Sequence, residues 1–256
     1  MKKQFAFFLL IFPVLVSHSQ QYNSSSIFAH NDYVQKKPLL LAYDKQVGFI
    51  EADVFLIQGK LLVAHTRIEV DADKTLESMY LKPLALLVER NNGYAYPDTS
   101  KTLTLMIDLK TNGEPTLDAL VEALNNYPKL THSKTLQVAV SGDMPKPDKW
   151  INYPSFIKFD GRPGVTYSAE QLARIRLISN SFSEYSRWNG KGELKMEEQY
   201  KFTQVIDAAH ALGKPMRFWA IPDNPMGWKK LMSMKVDILN TDHVEDLTMF
   251  LSQSLR

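Results

Sequence analysis

The sequence contains no cysteine among its 256 residues. Disulfide bonds are therefore excluded as a source of stability. A lipid anchor attached to a cysteine behind an export signal is excluded for the same reason. Stability must come from core packing or from a bound metal, and a chain that is 45% hydrophobic is long enough to bury a large core.

A strong excess of basic charge is also missing. Lysine and arginine number 30, and aspartate and glutamate number 28. Two of the lysines, Lys2 and Lys3, lie in an N-terminal segment that resembles an export signal, and without them the two signs balance. A nearly neutral chain argues against non-specific binding to nucleic acid, which needs a basic surface.

The apolar run at the N terminus is too short for a typical membrane span. It extends from Phe5 to Val16, whereas a spanning helix needs roughly 20 apolar residues. Two lysines precede it and Ser17-His18-Ser19 follows, which is typical of a secretory signal peptide cleaved before Gln20. The sequence therefore predicts a signal peptide over residues 1–19, a domain over residues 20–256, a secreted or periplasmic location, and no integral membrane segment after cleavage. An uncleaved anchor is the alternative.

Short β-branched or aromatic segments alternate with helical patterns along the rest of the chain, and no low-complexity linker interrupts them. The strand candidates are residues 26–30, 48–57, 103–110, 135–142, 155–161, 174–180, 214–222 and 236–242. The helical candidates are residues 36–46, 75–91, 115–126, 146–152, 168–174, 196–212, 225–234 and 243–254. Eight alternating units predict a single-domain α/β fold, the (β/α)8 TIM barrel. A doubly wound open sheet is the alternative.

The second strand candidate carries two carboxylates. Glu51 and Asp53 alternate with apolar residues, so both point to one face of the strand, and two like charges so close need a compensating cation. The segment "KLLVAH" that follows is predicted to be a hairpin insertion, with its turn at Gln58-Gly59-Lys60. Polar residues end most of the other strand candidates, which places them at the rim where barrel enzymes carry their active sites. They are His30, His65, Asp108, Lys110, Asp160, Arg162, Asn180, Trp219, Asp223, Asn240 and Asp242.

Four short motifs carry a resemblance to a known family: "AHND" at 29–32, "EAD" at 51–53, "AH" at 64–65 and "DLK" at 108–110. Together they resemble the phosphatidylinositol phospholipase C-like phosphodiesterase superfamily, which includes the glycerophosphodiester phosphodiesterases. The segments "AHNDY", "FDGRPG", "RFWAIPD" and "LNTD" are most similar to a phosphodiesterase-like group related to the fungal altered inheritance of mitochondria proteins. The resemblance implies a TIM barrel that hydrolyses phosphodiesters with one divalent cation.

The resemblance also implies roles for individual residues. Glu51, Asp53 and Asp108 would hold the metal, and Asn31 would join them as it does in phosphoinositide-specific phospholipase C. Oxygen ligands of this kind favour Mg²⁺ or Ca²⁺. His30 is expected to be the general acid and His65 the general base, with the order reversible between cyclisation and hydrolysis. Lys110 shares a strand face with Asp108, and its charge would bind a second phosphate oxygen.

The sequence departs from the glycerophosphodiesterase pattern at several positions. His30-Asn31-Asp32 stands where that family usually has His-Arg-Gly, so an arginine contact to phosphate is missing. Either Arg162 or Arg217 could replace it, and Trp219 is expected to be a substrate platform or a packing residue. The expected substrate is a small or phospholipid-derived phosphodiester.

Two other functions stay open at the level of the sequence. Asp108-x-Lys110 is similar to the sphingomyelinase D branch, which favours a phospholipase D-like transfer that forms a cyclic phosphate. The departures at Asn31 and Asp32, and at Thr66, where His65-Thr66 stands in place of the family's usual His-Asp, would also fit a catalytically silent barrel that binds a phosphorylated ligand.

Overall fold

Nine strands form one sheet that closes on itself in the computed structural model, which describes residues 21–254. Eight of them are parallel neighbours, in the order β1-β2-β4-β5-β6-β7-β8-β9, and β9 pairs back to β1. β3 pairs only with β2, antiparallel, as the predicted hairpin insertion. The strands are β1 (Ile27–Ala29), β2 (Phe49–Ile57), β3 (Lys60–Val63), β4 (Leu103–Leu109), β5 (Leu136–Gly142), β6 (Ile157–Gly161), β7 (Ile175–Ser181), β8 (Met216–Trp219) and β9 (Ile238–Thr241).

Helices connect the parallel strands on the outside of the barrel, so the predicted (β/α)8 TIM barrel is confirmed and the open sheet is wrong. A π-helical turn, Glu77–Leu81, leads directly into the second helix. The α-helices are α1 (Leu40–Asp44), α2 (Lys82–Arg90), α3 (Gly113–Asn125), α4 (Pro128–Thr131), α5 (Ala169–Arg174), α6 (Met196–Ala211), α7 (Pro225–Ser233) and α8 (Val244–Ser254).

One predicted α-helix, 146–152, is instead a 3₁₀ helix, Pro147–Asn152. Pro147 disfavours the helical conformation of the residue before it, and Lys146 is accordingly extended. The Trp150 indole donates a hydrogen bond to the Pro145 carbonyl oxygen, which connects the 3₁₀ helix to the loop that precedes it. Tyr153, which precedes Pro154, is extended as well, so the two prolines confine the helical segment to Pro147–Asn152, which is short enough for a 3₁₀ helix.

The interior of the barrel has an apolar layer beneath a polar one. Side chains alternate along a strand, so Phe49 faces inward with Glu51 and Asp53, and Met106 faces inward with Asp108. On β2 and β4, the acids therefore lie closer to the C-terminal end of the strand than the inward-facing apolar residue does. The apolar layer consists of Phe28, Phe49, Met106, Ala139, Leu177 and Ile238, all buried.

Closure of the barrel brings the two ends of the domain together. Ala29 of β1 pairs with Thr241 of β9, and the His30 amide donates a hydrogen bond to the Thr241 carbonyl oxygen at 2.9 Å. The residues that follow β1 and β9 therefore share one rim with the acids of β2 and β4. Within residues 21–254, no helix has both the length and the apolar character that a membrane span requires.

Candidate active site

Three carboxylates converge at the C-terminal mouth of the barrel. Parallel pairing sets Asp53 of β2 beside Asp108 of β4, and Glu51 lies two residues earlier on the same face. One oxygen from each of Glu51, Asp53 and Asp108 lies within 4.8 Å of the others. Burial raises the pKa of Glu51 and of Asp53, and the neighbouring Asp108 charge raises that of Asp53 further. Carboxylates this close need a positive charge to stay ionised.

The donor set fits a hard divalent cation. Asp108 Oδ1 is buried and accepts no hydrogen bond, so it has an acceptor site with no protein partner. Gly142 ends β5 against this atom, and a Cβ built on it would lie 1.9 Å from Asp108 Oδ1. Oxygen ligands at this spacing are those that Mg²⁺ and Ca²⁺ use. Glu51, Asp53 and Asp108 are therefore the residues that could hold a metal.

Lys110 lies on the same inward face as two of these acids. Its Nζ is 2.7 Å from Asp108 Oδ2 and 3.0 Å from Asp53 Oδ2. Burial lowers the pKa of Lys110, but the two carboxylates more than reverse this and raise it overall. The lysine therefore supplies a permanent positive charge at the mouth.

The two predicted histidines reach the carboxylates from different sides. His30 Nε2 is 3.6 Å from Glu51 Oε2, and His65 Nδ1 is 3.3 Å from Asp53 Oδ2. His65 is the more exposed of the pair. The structure therefore brings both imidazoles to one cluster, one at each end of the Glu51–Asp53 pair.

Asp242, at the end of β9, is a partner of His30. His30 Nδ1 lies 2.7 Å from Asp242 Oδ1 and 2.9 Å from Asn31 Nδ2. Because an ionised carboxylate only accepts, we assign the hydrogen to Nδ1 through the shorter contact, to Asp242. The His30 charge lowers the pKa of Asp242, although burial acts in the opposite direction. Asp223 in turn accepts the Asp242 amide hydrogen at 2.8 Å. The sequence places Asp242 on the rim, but the partnership itself depends on closure of the barrel.

Tyr33 is the other residue that sequence reasoning missed. Its hydroxyl oxygen lies 2.7 Å from Asn31 Oδ1, 2.8 Å from Asp53 Oδ2 and 3.2 Å from His65 Nδ1. The only signal for it is its position at the end of "AHNDY", immediately behind the first rim histidine.

Asn31 contacts the cluster through its main chain. Its amide N–H donates to Glu51 Oε2 at 3.2 Å, and its backbone is left-handed with φ of 50°. The side-chain oxygen accepts from Tyr33, and Nδ2 is 3.3 Å from Asp242 Oδ1. Asn31 therefore lies between Tyr33 and Asp242, and its role as a metal ligand stays a prediction.

The two candidate arginines differ in accessibility. The side chain of Arg217 is 4% exposed and donates through Nε and Nη2 to Asn240 Oδ1. It also stacks on Phe28, with its guanidinium carbon 3.5 Å from the centre of the ring. The side chain of Arg162 is 39% exposed. Its Nη1 donates to Asp160 Oδ2 at 2.6 Å and to Ser179 Oγ at 3.1 Å. Of the two arginines, Arg162 is thus the one that a ligand at the mouth can reach.

Trp219 ends β8 at the same rim and is 41% exposed. The next residue, Ala220, has a left-handed backbone with φ of 54°, which turns the chain sharply behind the indole. A large ring held at the rim in this way can contact a ligand.

Residues 17–136 match the family model of the AIM6-like phosphodiesterase domain. Over these residues, just under half of the chain, the sequence is similar to that family. Two curated relatives are altered inheritance of mitochondria protein 6 of Eremothecium gossypii and its homolog in Arthroderma benhamiae. The first is 26% identical, and the match covers 88% of this chain and 69% of the relative. The second is 24% identical, and the match covers 85% of this chain and 81% of the relative. The resemblance seen in the sequence is confirmed.

A solved structure shows the same fold. It is a glycerophosphodiester phosphodiesterase from Parabacteroides distasonis, which covers 91% of this chain and 99% of its own, with a TM-score of 0.57 and 15% identity. At that identity the likeness establishes the barrel.

The prediction of a secreted or periplasmic location is wrong. The curated relatives are named for altered inheritance of mitochondria, a name that refers to an intracellular organelle rather than to export. The predicted signal peptide over residues 1–19 lies outside the described residues.

Proposed function

We propose that this AIM6-like domain hydrolyses phosphodiesters with one divalent cation, Mg²⁺ or Ca²⁺, and two histidines. The observation that carries the proposal is the convergence of Glu51, Asp53 and Asp108 on one point with an imidazole at each end. The family match and the glycerophosphodiesterase-like barrel support the same reaction class.

The metal would be held by the three carboxylates. When bound, a divalent ion polarises a non-bridging phosphate oxygen and offsets the negative charge that builds up as phosphorus is attacked. The protein's own cations act on the rest of the phosphate. Lys110, on the acids' side of the mouth, and Arg162, immediately after β6, offer two fixed charges to the remaining oxygens. Arg217, buried against Phe28, fixes Asn240 and does not compete for this role.

The histidines divide the proton transfers. His65 is the base that takes the proton from the attacking hydroxyl, and His30 is the acid that protonates the leaving oxygen. Asp242 holds His30 by Nδ1, which leaves Nε2 to face the substrate and stabilises the protonated ring. If the attacking hydroxyl belongs to the substrate, the first product is a cyclic phosphate and the two roles reverse in the hydrolysis step.

Turnover of a phosphodiester panel tests the proposal. The panel contains bis(p-nitrophenyl) phosphate, glycerophosphocholine and lysophosphatidylcholine, each assayed after EDTA treatment and after addition of Mg²⁺ or Ca²⁺. We expect metal-dependent cleavage that Asp108→Asn abolishes, whereas Asp207→Asn, at an exposed position on α6, leaves it unchanged. Phosphorus NMR of the products separates a monoester from a cyclic phosphate. Absence of turnover with every substrate and metal would contradict the proposal.

A further inference from the structure

The hydroxyl of Tyr33 lies within hydrogen-bond distance of three polar atoms, but it has only one hydrogen to donate. A phenol donates one hydrogen bond and accepts others. Two of its neighbours, Asn31 Oδ1 at 2.7 Å and Asp53 Oδ2 at 2.8 Å, are acceptors and compete for that hydrogen. Its third neighbour, His65 Nδ1 at 3.2 Å, therefore meets the lone pairs of the phenol oxygen.

This arrangement selects one tautomer of His65. Nδ1 lies 3.3 Å from Asp53 Oδ2, which can only accept, and it also faces the oxygen of Tyr33, whose own hydrogen is directed to the closer acceptors Asn31 and Asp53. Nδ1 must then carry the hydrogen, which leaves the lone pair of the neutral ring on Nε2. A hydrogen bond at one ring nitrogen sets the state of the other in this way.

The hydrogen bonds continue from Tyr33 to the other histidine. Asn31 accepts from Tyr33 through Oδ1, and its Nδ2 lies 3.3 Å from Asp242 Oδ1, the oxygen that accepts from His30 Nδ1 at 2.7 Å. Each of these contacts pairs a donor with an acceptor, and Asn31 Nδ2 also lies 2.9 Å from His30 Nδ1. The two imidazoles are thus joined by three intervening side chains rather than placed independently.

The segment that carries Tyr33 is itself anchored. Asp32 is 1% exposed, and its Oδ2 accepts from the Leu39 amide and from the Tyr80 hydroxyl at 2.8 Å. Tyr80 belongs to the π-helical turn Glu77–Leu81, on a different element of the barrel surface. These hydrogen bonds to the neighbouring Asp32 fix the backbone that carries Tyr33, and the Tyr33 hydroxyl faces the carboxylate cluster.

We propose that Tyr33 is a positioning residue of the active site. Its hydroxyl holds His65 with the hydrogen on Nδ1 and links it, through Asn31 and Asp242, to His30. The inference rests on the proposed function for its catalytic consequence, while the tautomer of His65 is a property of the protein alone.

The kinetic test uses Tyr33→Phe with bis(p-nitrophenyl) phosphate. Removal of the hydroxyl leaves the ring in place, so we expect kcat to fall about 10- to 100-fold with KM unchanged, the range seen when a residue that orients a reacting group is lost. In a His65→Ala background the same change should cost nothing further, because Tyr33 acts through His65. Equal losses in both backgrounds would overturn the proposal.

Tyr96→Phe is the matched control. Tyr96 is a buried tyrosine, whereas Tyr33 is half-buried, and the Tyr96 hydroxyl donates to the Val47 carbonyl oxygen at 2.7 Å, away from the mouth. This variant removes one buried hydroxyl without touching the histidines, so we expect wild-type kcat. A loss of kcat equal to that of Tyr33→Phe would assign the effect to stability and overturn the proposal.

Long-range ¹H–¹⁵N NMR of the histidine rings gives a readout that does not depend on turnover. His65→Ala identifies the His65 signals, which in wild type should show a protonated Nδ1 and an unprotonated Nε2. Tyr33→Phe should shift these signals toward a mixture of tautomers. Identical His65 signals in the two proteins would overturn the proposal. Lack of turnover in wild type would instead contradict the proposed function and leave the NMR result decisive for Tyr33.

Discussion

At the scale of single residues, the site depends on partners that are distant in the sequence. His30 follows the first strand and Asp242 follows the last, yet their side chains lie 2.7 Å apart. The carboxylate matters because the acid must be protonated before it reacts, and a neighbouring negative charge stabilises the protonated ring.

Asp242→Asn should lower the turnover of the protein. Asparagine keeps the size and one acceptor oxygen but removes the charge that stabilises protonated His30. We expect kcat for bis(p-nitrophenyl) phosphate to fall about 100-fold, the lower end of what a positioned acid contributes. Asp246→Asn, at an exposed position on α8, is the control and should keep wild-type kcat. Wild-type kcat in Asp242→Asn would show that His30 needs no partner.

Asp32 should make the stability of the fold depend on pH. Burial raises its pKa to about 6, although the hydrogen bonds from Leu39 and Tyr80 act the other way. The unfolded value is about 4, so the folded state binds the extra proton and Asp32 favours folding most below pH 4. This contribution is lost as the pH rises through 6, and it amounts to about 3 kcal/mol.

Asp32→Asn isolates this effect. The amide oxygen can still accept from Leu39 and Tyr80, but it does not titrate. Relative to wild type, the variant should gain unfolding free energy as the pH rises from 4.5 to 7, measured by urea denaturation. A difference between the two proteins that stays constant over this range would show that Asp32 does not titrate there.

The sequence alone identified the carboxylates, His30, His65 and Lys110 as site candidates, because strand alternation and short motifs can be recognised within a few consecutive residues. It did not predict the contacts of Tyr33 or the pairing of Asp242 with His30. Both depend on closure of the barrel and on the path of the loop after β1, where Asn31 takes a left-handed backbone. Nothing local in the sequence specifies those contacts.

At the scale of elements, the alternation of strands and helices predicted the barrel, and the predicted α-helix that is instead a 3₁₀ helix lies between two prolines. Lys146 and Tyr153, each followed by a proline, are both extended, and they confine the helical segment after β5 to the 3₁₀ helix Pro147–Asn152. The end of β5 also contacts the site directly. Gly142, with φ of 76°, lies against the Asp108 carboxylate, so the strand end leaves room for one of the three acids.

Gly142→Ala should therefore weaken metal binding. The new Cβ would lie 1.9 Å from Asp108 Oδ1 and 2.5 Å from the Leu109 carbonyl oxygen, so the carboxylate must move. We expect an affinity for Mg²⁺ or Ca²⁺ about 10- to 100-fold lower, measured by calorimetry. Gly59→Ala is the control, because Gly59 has the same φ of 76° and no atom within 4 Å of its added Cβ.

Both glycine variants place alanine in a left-handed backbone, which costs about 1–2 kcal/mol of unfolding free energy. Only Gly142→Ala should also lose metal affinity. Equal affinity in the two variants would mean that Asp108 does not need the space beside Gly142.

At the scale of the whole molecule, one closed sheet explains why residues from both ends of the chain form a single site. The rim contains the acids of β2 and β4 together with the residues that directly follow three other strands: His30 after β1, Arg162 after β6 and Asp242 after β9. The sequence could predict that these residues share a rim, since parallel strands end together. It could not predict the distances, which depend on the register of every strand pair around the barrel.

The central claim is that Glu51, Asp53 and Asp108 hold one cation. Isothermal titration calorimetry of Mg²⁺ and Ca²⁺ into metal-stripped protein tests it most directly. We predict saturable binding of one ion per chain in wild type and in Asp207→Asn, and strongly weakened binding in Glu51→Gln and Asp108→Asn. Absence of saturable binding in wild type, or unchanged binding in both carboxylate variants, would contradict the account.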